Sequence, residues 1–406
     1  MAKSPEKNLA ATGSLVKTMK VAIITHEGGG IASVTYGLAG SLARKGISVT
    51  IFSPVNDSQS QAYPKNNCLD VVRFPTLNVP PRTLWYQSLN LQRFARTLKD
   101  YDVIHGMSPE ASFILASLRN RIKKPFVGTI HGIPRAGQRA FVNQPISSWT
   151  LSDFGYHVLE FPFHELSINR ILSDSDHTTL CSFSVLEELR AYRFLEMRRI
   201  SVIYNGVDFD EIEQIPVLTG DKNSELSIIY AGRLFWYKGV MLLLEAFKNV
   251  RKNIQNVKLK IFGRGPLEGR VRKFIAESNL EKSISFFGHV SHKTLLTELK
   301  KSDIVVFPSL SEAQPMFVLE AMACKKPVLM FDLSFAREII SDKNNGLIAE
   351  GGNVNDLGEK ILMLLSDDGL RRRLGENAYI QVKTKHNWDV QSEKYARVYE
   401  KVMDRV

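Results

Sequence analysis

Glu312 and Glu320 stand in the run Pro308–Ala323, directly after the strand-like residues Asp303–Phe307. Pro315 suits the first turn of a helix, which puts Glu312 on the loop before that helix and Glu320 two turns inside it. A carboxylate within an otherwise apolar helix is costly to bury unless it meets a ligand or a cation. The amides of Met316 and Phe317, at the helix start, point toward any anion above them. Capping by Glu312 and an ordinary ion pair at Glu320 is the reading that needs no ligand.

Two cations have a matching position upstream. The strand Leu226–Ala231 ends at Gly232-Arg233, and Lys238-Gly239 follows before the next helical stretch. Arg233 offers a fork of donors for two oxygens, and Lys238 a compact charge, a pairing that suits a diphosphate. Gly263-Arg264-Gly265-Pro266 ends the following strand and keeps its loop low. In the first half, Gly28-Gly29-Gly30 separates the first strand from the first helix and lets a ligand approach the backbone. It is not the G-x-G-x-x-G of dinucleotide sites, since Ala32 and Ser33 follow Ile31. His131 ends the strand Phe126–Ile130 and is placed for a cleft, a claim that His105 shares one strand earlier. Asn205-Gly206-Val207-Asp208 reads first as a turn.

The elements that must carry these residues are short β-branched strands alternating with amphipathic helices, twice over. The first series runs from Val21–Thr25 to Ile200–Tyr204, and the second from Leu226–Ala231 to Gly346–Ala349. Between them, residues 206–225 have linker chemistry. The division expected is a flexible tail at 1–19, a Rossmann-like domain at 20–206, a second at 207–385, and a C-terminal helix at 386–406 crossing back to the first. Such parallel sheets bind ligands at their strands' carboxyl ends, so the site is expected in a cleft between the domains. The irregular residues 132–165 read as an excursion over that cleft.

With 406 residues and 44% hydrophobic content, both halves can bury a core. Cys68, Cys181 and Cys324 lie far apart, which points to neither a metal knuckle nor a disulfide framework and gives a reducing compartment as the default. Residues 1–19 lack the apolar stretch of a signal peptide, and no run is long enough to span a bilayer. A cytoplasmic location follows, with peripheral contact at the inner face of the membrane as an option. The net charge of +11 falls mostly in the first half, yet the cations are dispersed and no recognition motif accompanies them, which argues against nucleic acid as a partner. Helix-like residues 186–199 carry Arg190, Arg193, Arg198 and Arg199 beside Leu189, Phe194 and Leu195, a pattern able to rest on anionic lipid.

Taken in order, these pieces resemble the family-4 retaining glycosyltransferases with the GT-B fold, over about residues 20–405. The carriers are Gly28–Gly30, Thr129-Ile130-His131-Gly132, Asn205–Asp208, Gly232-Arg233 with Lys238-Gly239, Gly263-x-Gly265-Pro266, and Glu312-x7-Glu320. The resemblance implies two Rossmann-like doubly wound domains facing a central cleft, a nucleotide-sugar donor, a glycan or lipid-linked acceptor, and neither cofactor nor metal. Arg233 and Lys238 would hold the donor diphosphate, with Gly232, Gly263 and the helix start at Met316, Phe317 and Val318 beside it. Glu320 would take the ribose hydroxyls, His289 and Val290 would border the base, and Glu312 would bind the transferred sugar. His131 would contact that sugar from across the cleft, where Gly29 and Gly30 leave room. Where the family has Glu-Gly-x-Gly, this chain has Glu312-Ala313-Gln314-Pro315, and Pro315 has no N–H to offer. Competing readings are a non-catalytic nucleotide-sugar binder, another GT-B enzyme such as an epimerase or phosphorylase, and a basic nucleic-acid-binding protein. The basic excess, including Arg119, Arg121, Lys123 and Lys124, and the aromatics Trp85, Tyr86, Phe141 and Trp149 are the first-domain features open to an acceptor.

Overall fold

The structure, a computed structural model, describes residues 19–25, 29–55, 68–77, 82–133, 161–192, 195–216 and 225–405. Several features read from the sequence lie outside them: most of the expected tail, Gly28, Phe141 and Trp149 within the excursion, and the middle of the linker.

The first sheet contains β1 (Lys20–Ile24), β2 (Ser48–Pro54), β3 (Leu69–Phe74), β4 (Val103–Gly106), β5 (Phe126–Ile130), β6 (His177–Leu180) and β7 (Ile200–Val202), in the order β3-β2-β1-β4-β5-β6-β7. The second contains β8 (Leu226–Ala231), β9 (Val257–Phe262), β10 (Ile284–Gly288), β11 (Ile304–Phe307), β12 (Val328–Phe331) and β13 (Leu347–Ala349), in the order β10-β9-β8-β11-β12-β13. The recorded strand pairings are parallel. Central strands such as β4, β5 and β11 are buried throughout, which is why they read as unbroken apolar runs rather than alternating ones. Strand order reverses direction between β1 and β4, and again between β8 and β11. In each sheet that switch opens a crevice at the carboxyl ends.

The first-domain helices are α1 (Gly29–Arg44), α2 (Arg82–Thr97), α3 (Pro109–Ile122), α4 (Phe161–Asp174) and α5 (Phe183–Leu189). Those around the second sheet are α6 (Phe209–Gln214), α7 (Val240–Asn253), α8 (Glu268–Glu277), α9 (His292–Lys301), α10 (Met316–Ala323), α11 (Ala336–Ile339), α12 (Val354–Ser366) and α13 (Asp368–Lys385). The last, α14 (Trp388–Met403), returns to the first sheet. Its buried residues Trp388, Gln391, Ser392, Tyr395, Val398, Tyr399 and Val402 recur every three or four positions, the stripe that lets a helix cover a sheet. Trp388, Tyr395, Val398, Tyr399 and Val402 share a core with Val21, Ile23, Leu38 and Val49.

Trp388 marks the return. A Cβ at Gly37 of α1 would lie 2.1 Å from its indole nitrogen, and one at Gly206 would lie 2.6 Å from its backbone nitrogen. Both positions must be glycine for the indole to seat.

Two expectations need correction. Residues 186–199 do not form one helix: α5 ends at Leu189, and a short 3-10 turn spans Met197–Arg199. Among the described residues no continuous helical cationic face forms there; Arg193 and Phe194 lie outside them. Met19, counted with the tail, is buried against the first sheet instead. Truncating Trp388 to alanine removes the indole that closes this packing. Urea unfolding should show a loss of about 3–5 kcal/mol, the usual cost of deleting a large buried aromatic. A loss below about 1 kcal/mol, within the range of an exposed substitution, would contradict the packing account.

Candidate active site

The floor of the second-domain cleft is built from backbone. Gly232 N–H donates to Phe262 O at 3.1 Å, Gly263 N–H to Gly288 O at 2.8 Å, and Leu234 N–H to Arg264 O at 2.8 Å. The loops after β8, β9 and β10 are thereby joined into one ledge. Gly263 has φ +132°, and a Cβ there would come within 1.9 Å of Gly232 O. Any side chain at Gly263 would push these loops apart.

On this ledge the 3-10 turn Trp236–Lys238 brings Lys238 inward. Gly239, at φ +71°, packs so closely that a Cβ would lie 1.8 Å from Pro308 O. Leu310 N–H (2.6 Å) and Ser309 Oγ (3.2 Å) both donate to Tyr237 O. The turn carrying Lys238 and the loop carrying Glu312 are thus fixed to each other, and the two side chains form an ion pair, Lys238 Nζ to Glu312 Oε1. Their side chains are 13% and 10% exposed, so the pair sits largely out of water, where electrostatic contacts are strong. Arg233 remains exposed beside them, its guanidinium 5.2 Å from the Phe235 ring centroid and donating to Tyr237 Oη at 3.0 Å.

α10 begins at Met316, with Pro315 as its N-cap residue rather than inside the first turn. The side chain of Val318 is fully buried and its amide donates to Pro315 O at 3.2 Å, so Val318 presents neither to the cleft. The amides of Met316 and Phe317 precede the first available intrahelical acceptors and mark the helix's anion-attracting end. Glu320, buried in the second turn, accepts a hydrogen bond from His292 Nε2 at 2.9 Å, and His292 Nδ1 donates to Glu211 Oε1 at 3.1 Å. Burial alone would lower the His292 pKa. The hydrogen bonds and charges of Glu211 and Glu320 overcome that and raise it to about 10, so the ring is an imidazolium at neutral pH. His289 is exposed and Val290 half-buried just before α9.

The first domain faces this floor. His131 and Gly132 follow β5, and a Cβ at Gly132 would lie 3.4 Å from Ala313 Cβ, which brings His131 close to the Glu312 loop. Met316 packs on the first-domain core that Ile31 of α1 also borders, and Gly30 has open space where a side chain would be. Gly29 is the first residue of α1. His105 does not belong here: it is fully buried, bonded at 2.7 Å to Tyr399 of α14 and at 2.7 Å to Thr129. Desolvation, then the nearby His131, holds it down to about 3, and it remains a neutral core histidine.

Lys238 and Glu312 are thus paired above the ledge of Gly232 and Gly263, Arg233 is tied to Tyr237 beside them, and Gly132, next to His131, meets the Glu312 loop from the first domain. Among the described residues no group of three or more His, Cys, Asp or Glu could hold a metal ion. Sequence reading missed His292 and Gln314. His292 lies only three positions after His289, but its partners lie 28 and 81 positions away.

The charged His292 has a pH signature. Its folded pKa lies above its unfolded value, so its stabilisation is complete below about pH 6.5 and lost as pH rises toward 10. Relative to His292→Gln, wild-type stability in urea should fall between pH 7 and 10 by at most about 1.4 kcal/mol per unit. A difference independent of pH would show that the ring is not charged.

Two family models match the chain: Glycosyltransferase Family 4 over residues 28–211 and Glycosyl transferases group 1 over residues 211–381. An uncharacterized glycosyltransferase of Methanocaldococcus jannaschii is 27% identical, across 95% of this chain and 99% of that protein. The sucrose-phosphate synthase of Thermosynechococcus elongatus superposes with a TM-score of 0.77 at 19% identity, covering 96% of this chain and all of that one. HepE of Anabaena, solved in complex with UDP-glucose, superposes at 0.72 and 16% identity, covering 94% of this chain and all of that one. Matched on both sides of the cleft by its models, and folded as two facing Rossmann-like units, the chain belongs to the family 4, group 1 glycosyltransferases and is a nucleotide-sugar-dependent glycosyltransferase of the GT-B fold.

Proposed function

We propose that the protein moves a hexose-type sugar from a UDP- or GDP-sugar to a glycan, lipid-linked or small-molecule acceptor, with retention of configuration and without a metal ion. The observation that carries this is the Lys238–Glu312 pair, held on the glycine ledge between Arg233 and the start of α10. As the glycosidic bond breaks, negative charge grows on the departing diphosphate. Arg233 grips two oxygens, Lys238 supplies a charge that needs no reorganisation, and the first-turn amides of α10 add to it. Donor entry turns Lys238 toward phosphate and releases Glu312 to accept from sugar hydroxyls. Glu320, oriented by His292, takes the ribose hydroxyls, and the backbone near His289 and Val290 borders the base. His131 approaches the sugar from the first domain, and Gly29 and Gly30 leave room for the phosphates.

Both carboxylates of the floor are engaged, Glu312 by Lys238 and Glu320 by His292. With the donor bound, Glu320 stays on His292 and the released Glu312 accepts from sugar hydroxyls, a division of roles that leaves acceptor attack on the face that the diphosphate vacates. HepE binds UDP-glucose, which makes that sugar nucleotide the first donor to try.

No helix among the described residues is long and apolar enough to cross a membrane. Our reading places the protein in the cytoplasm, in peripheral contact with the anionic inner face of the membrane. Support for that contact now comes from α2, which exposes Trp85 and Leu89 near its start and Arg93 and Arg96 further on. Flotation with phosphatidylglycerol vesicles should carry the protein upward and lose it on Trp85→Ser with Leu89→Ser; wild type left at the bottom would remove the contact.

A thermal-shift screen against UDP- and GDP-sugars tests the donor site. One class should stabilise the wild type, by about 2.7 kcal/mol at a hundredfold excess over Kd, and lose effect in Arg233→Ala and Glu320→Ala. Lys238→Ala should cut turnover by about 10²–10³, as for removal of a preorganised charge-stabilising group. A folded protein that no nucleotide-sugar stabilises would contradict this function.

A further inference from the structure

Gln314 lies between Ala313 and Pro315, the two places where glycine was expected. Its side chain is buried and is bonded to two distant parts of the chain. Its Oε1 accepts from Asn205 N–H at 2.7 Å, and its Nε2 lies 3.2 Å from His386 Nδ1. A backbone N–H can only donate, so the amide oxygen must face Asn205 and the amide nitrogen must donate to His386. The imidazole is then the neutral form with a free Nδ1 acceptor. Burial agrees, pushing His386 down to about 4, and the ring also bonds the Asn205 main chain. The three residues close a small buried circuit.

The positions of those partners give the circuit its meaning. Asn205 lies where the chain leaves the first sheet for the second domain, and His386 lies between α13 and the returning α14. The two crossings are also tied directly: Val207 N–H donates to His386 O at 2.7 Å, and Val207 pairs with Asn387 in a parallel bridge. Gln314 therefore holds the hinge from the side of the donor loop. Two residues before it is Glu312, paired with Lys238, and Pro315 after it caps α10. Ala313 packs on the first-domain core around Ile130 and Ile133. A loop that needed glycine for freedom has been replaced by one anchored at three successive residues.

We infer that Gln314 is a positioning residue that ties the Glu312 loop to the interdomain hinge, so that the angle between the domains and the placement of Glu312 change together. The inference rests on the donor site proposed above. A residue that only satisfied buried polar groups would lower thermal stability when replaced and leave the response of the domains to nucleotide unchanged.

The test compares wild type with Gln314→Leu, similar in volume but without either bond, using UDP and GDP as probes. Calorimetry gives the affinity, and small-angle X-ray scattering gives the radius of gyration with and without nucleotide. Wild type should contract on binding one of the two. Gln314→Leu should still bind the same nucleotide, since Arg233, Lys238 and Glu320 are untouched, but fail to contract and bind about tenfold more weakly, having lost the share of affinity that closure supplies. Gln314→Glu, which keeps the acceptor for Asn205 N–H, should contract partially, and it carries the comparison if the leucine variant does not fold. Contraction equal to wild type in both variants would overturn the coupling, as would a wild type that binds nucleotide without contracting. Failure of wild type to bind either nucleotide would instead overturn the donor-site reading, and the coupling with it.

Discussion

Where the chain leaves its first sheet and where it returns, Val207 and His386 share a 2.7 Å hydrogen bond, and the cleft depends on that junction. Each sheet buries a core of its own: Ile228, Leu243 and Phe247 on one side of the second, Val305, Val318 and Met322 on the other. Neither core fixes where the opposite domain stands. The crossings do, with Trp388 seated against Gly37 and Gly206, and Arg44 reaching both Asp208 and Asp389. Further contacts follow on the cleft side. Glu338 of α11 accepts from the Phe183 and Ser184 amides of the first domain at 2.9 and 2.6 Å, and from Tyr204 Oη at 3.1 Å.

The chemistry inherits this division of labour. Backbone shapes the floor, because a glycine ledge admits phosphate oxygens where side chains would exclude them. Charge sits on that floor already partnered, Lys238 with Glu312 and His292 with Glu320, so that no buried ion is left without compensation. In the function proposed above, a donor would exchange those partners for its own phosphates and hydroxyls. The cost of desolvating the charged groups would then have been met in folding, with the groups already aimed when the leaving diphosphate gains charge.

What was legible in the sequence was local. Glycines and cations at strand ends, the proline before α10 and the two-series alternation are written within a few residues of where they act, and they placed Arg233, Lys238, Glu312 and Glu320 at one edge of one sheet. Contacts between distant segments were not legible. Nothing near Lys238 announces that Glu312, 74 residues on, will be its partner, nor that His292 will orient Glu320. His105 and His131 look alike as strand-end histidines, and α14, which follows them by more than 250 residues, decides between them by covering His105 with Tyr399. Arginine spacing over 186–199 mimicked a helix face, but α5 stops at Leu189 in a turn closed by Tyr192 N–H on Leu189 O. The replacement of glycine by Ala313 and Pro315 looked like a loss from the donor loop. In the structure Ala313 packs against the first-domain core beside Gly132, and Gln314, between the two, bonds Asn205; neither partner adjoins the loop in sequence.

The most direct measurement is a crystal structure of the protein with the nucleoside diphosphate it binds. The account predicts the diphosphate between Arg233, Lys238 and the start of α10, with the Lys238–Glu312 pair opened and the ribose hydroxyls on Glu320. Nucleotide bound away from these residues, or bound there with the ion pair intact and Glu320 untouched, would contradict it.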